Sequence, residues 1–186
     1  MRGGSVHLQK GFDPDTLLAT IERERINFTL LVPTMIYVLL DHPRLDAADL
    51  SSLELLLYGA SPMSPARLTE GLARIGPVFS QLYGQTECYP VSVLRKADHD
   101  AKRPELFESC GFPIAACDVR ILDDDDREVT MGQPGEICVC GPHVMRNIGS
   151  VRTRPPRRCG TVGCIPATSR APTSAAISLS SIARRT

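Results

Sequence analysis

The 186-residue sequence contains no tryptophan and only nine other aromatic residues, and all nine lie at or before Phe112. Long apolar runs are absent too: none approaches the roughly 18–20 residues that a membrane span requires. No basic segment followed by an apolar stretch opens the chain, so export by a standard signal is not expected and a cytoplasmic setting is. The third absence is acid. Residues 147–186 hold seven Arg and no Lys, Asp or Glu, a net charge of +7, whereas residues 1–146 hold 14 basic and 21 acidic residues, a net of −7. The last forty residues also carry eleven Ser/Thr and four Pro, without apolar periodicity beyond a few residues. Ordinary surfaces intersperse both signs of charge. Two compositions therefore meet near residue 146, and the overall net charge of zero excludes nothing about partners.

What is present suits a globular domain. The length can bury a core, and 42% hydrophobic content argues against wholesale disorder. Seven Cys in a chain without an export signal point to reduced thiols, not to a disulfide framework. Cys138 and Cys140 alternate with Ile137 and Val139, so both thiols share one face of a strand. Cys159-x4-Cys164 has no matching pair and the four His are scattered; the readings left are a zinc site or, better supported, small buried hydrophobes.

Along the chain, Asp13-Pro14-Asp15 reads as a helix start, with Leu17, Leu18 and Ile21 on one face before Glu22–Arg25 closes it. Ile26–Val32 reads as a buried strand, and a helix from Pro33 stops before His42-Pro43. Leu53–Tyr58 is a second strand closed by Gly59-Ala60-Ser61-Pro62; Ser64-Pro65 caps a helix to Ile75; Val78–Tyr83 is a third strand ending in Gly84-Gln85-Thr86-Glu87. This alternation predicts βαβ units and a parallel sheet covered on both faces. After residue 110, Val119–Leu122, an acidic run at Asp123–Asp126 and Glu136–Cys140 predict short antiparallel strands. The run reads as a solvated turn in preference to a calcium site, because four consecutive residues cannot all point inward.

Open α/β sheets place ligands at the carboxyl ends of their strands. Two loops fit, Tyr58–Pro62 and Tyr83–Glu87. Gly59 and Gly84 permit close approach, a Tyr ring offers a flat face for a base, and Thr86 with Glu87 suits a phosphate-bound Mg²⁺. The spacing is equally that of a Gly turn with a capping Thr and a surface Glu.

Longer motifs are more specific. Ser80-Gln81-Leu82-Tyr83-Gly84-Gln85-Thr86-Glu87 resembles the YGxTE core of the adenylate-forming (AMP-binding) superfamily, and Val32-Pro33-Thr34 resembles its VPT segment. Leu53–Ser64 resembles L-x-x-GGAP-L-S, Gly111–Ile121 resembles G-x-P-x5-V-x-I, and Gly132–Pro142 resembles G-x-x-GE-I-x-V-x-GP. Five pieces in order make the chain similar to fatty-acid and aryl CoA ligases. Cys140 stands where many relatives carry Arg.

The resemblance implies an α/β fold: part of a large N-terminal domain, with a parallel-sheet AMP-binding subdomain over residues 1–110, the start of a β-barrel-like subdomain over 111–146, and a non-native, disordered tail over 147–186. It implies formation of an acyl-adenylate from ATP and a carboxylate, then transfer to CoA. Gly59, Ala60, Ser61, Gln81, Leu82, Tyr83, Gly84 and Gln85 would line the nucleotide site, with Tyr83 on the adenine; Thr86 would contact phosphate and Glu87 would hold Mg²⁺. The family's phosphate loop, its ribose-binding Asp and its C-terminal catalytic Lys are not readable, so the expectation is an inactive internal fragment of a ligase with aggregation-prone sheet edges. The alternatives are an active ligase, or a silent module whose Arg-rich tail contacts nucleic acid weakly.

The tail fits a changed reading frame. Codons for Cys159–Thr168, shifted by one base, can read Arg-Asp-Gly-Trp-Leu-His-Thr-Gly-Asp, the family's next stretch; Ile148-Gly149 can yield Tyr-Trp, and Ala175–Ala183 can yield Arg-Gly-Tyr-Phe-x-Ile-Val-Asp-Arg. A one-base loss near codon 146 is the expectation.

Overall fold

A computed structural model describes residues 3–145, except 124, 126, 131, 132 and 134, together with the backbone of 165–166. Helix α1 (Pro14–Glu24) starts as its sequence dictates: the Thr16 N–H donates to Asp13 Oδ2 at 2.8 Å, with Pro14 in the first turn where no amide partner is needed. It ends at Arg25, left-handed at φ 50°, whose N–H bonds the Ile21 carbonyl. Strand β1 (Phe28–Leu31) leads through α2 (Pro33–Leu40) to β2 (Leu55–Gly59), and α3 (Pro65–Arg74) leads to β3 (Phe79–Gln85). Ser64 stands at the N-cap of α3, but its side chain makes no cap bond; its N–H donates instead to Tyr37 Oη at 2.7 Å, tying the start of α3 to α2.

β1, β2 and β3 are parallel and adjacent. β4 (Cys88–Leu94) turns back antiparallel to β3, and β5 (Phe112–Pro113) pairs with β4, so the first sheet has the order β1-β2-β3-β4-β5. A second sheet holds β6 (Asp118–Leu122) and β7 (Glu136–Cys140), with the two-residue β8 (Ile165–Pro166) on β7. The rest of 147–186, expected to be a non-native tail, lies outside the described residues. Between β6 and β7, the Asp123 carboxylate accepts the N–H groups of Asp125 and Arg127, each at 2.9 Å. That carboxylate is turned into its own loop, as the turn reading requires.

The core lies between the first sheet and the three helices, with Leu18, Ile36, Leu40, Leu56, Tyr58, Leu68, Phe79 and Leu94 nearly free of solvent. Among the described residues, the expected cover on both sheet faces is not complete. Phe28 is 50% and Leu30 61% exposed, although Leu31, next along the strand, is buried. The cause is topological: the order β1-β2-β3 advances in one direction, so crossovers of equal hand set α2 and α3 on the same side. Cys88, Cys110 and Cys117 carry reduced thiols, but Cys140 is disulfide-bonded, so the reduced state expected for all seven Cys does not hold there. No helix among the described residues is long and apolar enough to cross a membrane.

Candidate functional site

The two loops singled out in the sequence are set side by side by strand register. Gly59 pairs with Leu82 at the carboxyl end of β2. A Cβ on Gly59 would overlap the Leu82 carbonyl, so only Gly lets the strands close there. Ala60 then takes a left-handed φ of 69°, uncommon for a residue with a side chain, and Ala60 and Ser61 are exposed.

The second loop differs from expectation. Instead of ending at Tyr83, β3 runs on to Gln85, is bulged between Tyr83 and Gln85, and folds straight into β4 through the turn Thr86–Glu87. Gly84 makes this possible: a Cβ there would lie 2.7 Å from Tyr89 Cδ2 and 2.9 Å from the Cys88 carbonyl. Thr86 and Glu87 therefore sit at the tip of a hairpin, Thr86 exposed and Glu87 half-buried. The Met145 N–H, donating to the Glu87 carbonyl at 2.8 Å, anchors the tip to the segment after β7.

Gln81, Leu82, Tyr83, Gly84 and Gln85 are all half-buried along β3. Tyr83 packs against the small core of Cys88, Val91 and Val139 that joins the sheets. It also lines an apolar cavity of about 10 Å³ with Val91, Ser92 and Cys110, room for about one water.

Tyr58 does not offer a face to any base. Its ring is 1% exposed, edge-on to Phe79 and to His99 at centroid distances of 6.2 and 5.7 Å. Its hydroxyl lies 3.0 Å from His99 Nε2, and His99 Nδ1 lies 2.8 Å from the Arg95 carbonyl. A carbonyl only accepts, so Nδ1 carries the proton and Nε2 accepts from the Tyr58 hydroxyl. This chain pins the end of β2, one residue before Gly59, to the segment after β4. No spacing in the sequence marks His99 for that role; it is one of four scattered histidines.

Burial holds the His99 pKa below its ordinary 6.5, against smaller opposing pulls from the Arg95 carbonyl and Asp98, and burial pushes the Tyr58 phenol up. Above pH 6.5 His99 is neutral folded or unfolded. As pH falls through 6.5 the unfolded chain takes up a proton that the folded one refuses, so stability falls until the lower folded pKa is reached. Urea midpoints are expected to drop across that window and to drop less in His99→Gln. Tyr58→Phe, which leaves Nε2 without its donor, is expected to cost about 1–2 kcal/mol.

Residues 1–148 match the AMP-binding enzyme family. The chain is 47% identical over 143 residues to the medium/long-chain-fatty-acid–CoA ligase FadD8 of Mycobacterium tuberculosis, covering 76% of this chain and 24% of that protein. It is 40% identical over 146 residues to a feruloyl-CoA synthase of Amycolatopsis, covering 78% and 29%. Among solved structures, the amide bond synthetase McbA of Marinactinospora thermotolerans superposes with a TM-score of 0.73 at 38% identity, covering 77% of this chain and 29% of that one. The chain thus spans about a quarter of the length of the curated relatives it matches.

Proposed function

The chain belongs to the AMP-binding enzyme family, and from that premise we propose that its described part is the nucleotide-facing portion of an AMP-forming acyl-CoA ligase, silent in catalysis as a 186-residue chain. The observation that carries the reading is the Gly59–Leu82 register, by which the two family-like loops leave neighbouring strands at the same carboxyl end of the sheet. Gly59, Ala60 and Ser61 form one wall of the site and Gln81–Gln85 the other, with Tyr83 beside the adenine of ATP.

Thr86 and Glu87 supply only oxygen donors at an accessible turn. That suits Mg²⁺, which is commonly held by one or two carboxylates plus substrate phosphates. The metal, when bound, offsets charge on the phosphoryl oxygens. Thr86 orients a phosphate oxygen by hydrogen bonding, and Glu87 holds the ion where the hairpin tip presents it. The acyl substrate is a carboxylate and the acceptor CoA, the chemistry named for FadD8 and the feruloyl-CoA synthase.

Silence follows from what stands after residue 148. The family match stops there, beside the composition change near 146, and the Arg-rich segment holds no in-frame counterpart of the ribose-binding stretch. Residues 1–110 and 111–146 act as two partial subdomains. The exposed Phe28 and Leu30 on the edge strand β1 give the chain a surface for self-association.

Purified chain given ATP, Mg²⁺, CoA and either fatty acids or ferulate is expected to release no pyrophosphate above a protein-free blank. Release that Glu87→Gln abolishes would refute the silence. Mg²⁺-dependent binding of a fluorescent ATP analogue is expected to weaken on the order of tenfold in Glu87→Gln, a loss of about 1.4 kcal/mol; unchanged binding removes Glu87 from the site. Coding DNA that cannot read TGG in the shifted frame at codons 148/149 or 162/163 sinks the frame reading.

A further inference from the structure

Apart from the loops at the end of the first sheet, one cluster brings chemically matched side chains together from distant parts of the sequence. Cys88 opens β4, Cys117 directly precedes β6, and His143 follows β7. Cys88 Sγ, Cys117 Sγ and a ring nitrogen of His143 all lie within 4.8 Å of one another, and Cys117 Sγ is 3.0 Å from His143 Nε2. Cys88 is buried, whereas Cys117 and His143 are half-buried, so two of the three residues are within reach of solvent.

We infer that Cys88, Cys117 and His143 form a binding site for one thiophilic divalent ion of the Zn²⁺ type, with three protein ligands and a fourth position open to solvent.

The donor set selects the ion. Two thiols and an imidazole suit Zn²⁺, whereas Mg²⁺ and Ca²⁺ take oxygen, so this site and the carboxylate of Glu87 would not compete for one metal. The spacing is right as well. Zn–S bonds of about 2.3 Å and Zn–N bonds of about 2.0 Å in a tetrahedron separate the donor atoms by roughly 3.5–3.8 Å. The Cys117–His143 contact, at 3.0 Å, is shorter than that and would have to lengthen by about 0.5 Å on metal binding.

The backbone is already in place. The Cys117 N–H bonds the Ile114 carbonyl at 3.0 Å, the Val144 N–H bonds the Gly141 carbonyl at 3.2 Å, and the Met145 N–H bonds the Glu87 carbonyl at 2.8 Å. Gly141 permits the close approach of this segment to the residue before Cys117, since a Cβ there would come 2.6 Å from the Ala116 carbonyl oxygen and 3.1 Å from the His143 ring. A bound ion would hold both sulfurs as thiolates. Val91, Val139 and Val144 supply the apolar wall. The ion would tie the hairpin tip to the second sheet at a point one residue from Glu87.

The test uses the full chain, stripped with chelator and then titrated with Co²⁺ and Zn²⁺. One equivalent of Co²⁺ is expected to raise a thiolate-to-metal charge-transfer band that Zn²⁺ abolishes. Cys88→Ser, Cys117→Ser and His143→Ala should each weaken binding on the order of 100-fold, whereas Cys110→Ser, Cys138→Ser and a combined Cys140/Cys159/Cys164→Ser variant should keep the band. X-ray absorption of the Zn²⁺-loaded parent chain should count two sulfurs and at least one nitrogen, and it decides the matter if a ligand variant fails to fold. Absence of the band, its survival in Cys117→Ser, its loss in the combined variant, or a count of three or four sulfurs would each overturn the site.

Discussion

Gly111→Ala is expected to lower the folding stability by about 2–5 kcal/mol, or to abolish the folded state. Two separable effects add at this position. Gly111 has φ 85°, a backbone conformation whose penalty for an L side chain is roughly 1–2 kcal/mol. A Cβ would also collide with the backbone of Val93 and Leu94, and overpacking of this kind typically costs a further ~1–3 kcal/mol. The segment cannot shift easily to relieve it. The Ser92 hydroxyl donates to the Cys110 carbonyl at 2.7 Å on one side of Gly111, and Phe112 pairs with Val93 on the other, so both flanks are pinned to β4.

Gly76 is the control. It has φ 110° but nothing within 4 Å of its would-be Cβ, so Gly76→Ala should show the conformational penalty alone. Urea midpoints of the two variants, with unchanged slope, should therefore differ by the collision at β4; equal losses would show that the backbone at 109–111 yields. A domain whose whole stability is about 5–15 kcal/mol has little room for the larger loss.

Gly111 also shows what could be read from the residues and what could not. As the first residue of a G-x-P motif it stood out by resemblance, but the reason for it, a strand passing beneath, depends on β4. That strand escapes pattern reading because Pro90 and Ser92 interrupt its apolar run, and no periodicity crosses the gap. The parallel strands and three helices were legible: their caps, prolines and short apolar runs are local signals. Asp13 acts as its position predicts, whereas the Ser64 side chain makes no cap bond and that end of α3 is tied instead by the Ser64 N–H to the Tyr37 hydroxyl.

Sidedness was illegible. An apolar strand such as Phe28–Leu31 reads the same whether one face or two are covered, and only the order of strands decides. At the candidate site, Gly59 and Gly84 were found as points of close approach, but the hairpin over Thr86–Glu87 was not, since Gly84-Gln85 reads as the opening of a loop. The Cys88–Cys117–His143 cluster lay beyond reach for a plainer reason: its members are separated by 29 and 26 positions, with no repeat spacing to join them.

Phe79→Ala should be the most damaging change in the main core, with an expected loss of about 3–5 kcal/mol. Phe79 is 0% exposed at the start of β3, edge-on to Tyr58, and α3 crosses its ring at Gly71, where a Cβ would stand 2.8 Å from Cζ. The absence of a side chain at 71 is thus part of the fit. Gly71→Ala gains roughly 1 kcal/mol of helix propensity but must push a fully buried ring that is also in edge contact with Tyr58. Its expected net effect is destabilising.

Phe79→Leu leaves part of the ring's volume empty on the side facing Gly71, so Phe79→Leu with Gly71→Ala should lose less than the two single changes added together. A positive coupling on the order of 1 kcal/mol in that double-mutant cycle would establish that Gly71 of α3 and the Phe79 ring pack as one unit. Strict additivity would show instead that the helix settles independently of the ring. The answer bears on the site, because α3 follows the Gly59–Ser61 loop and Phe79 begins the strand that carries Gln81 to Gln85 and leads into Thr86 and Glu87. If the two are coupled, Phe79→Leu alone should weaken binding of the ATP analogue and Gly71→Ala should restore part of it, although neither residue touches the loops.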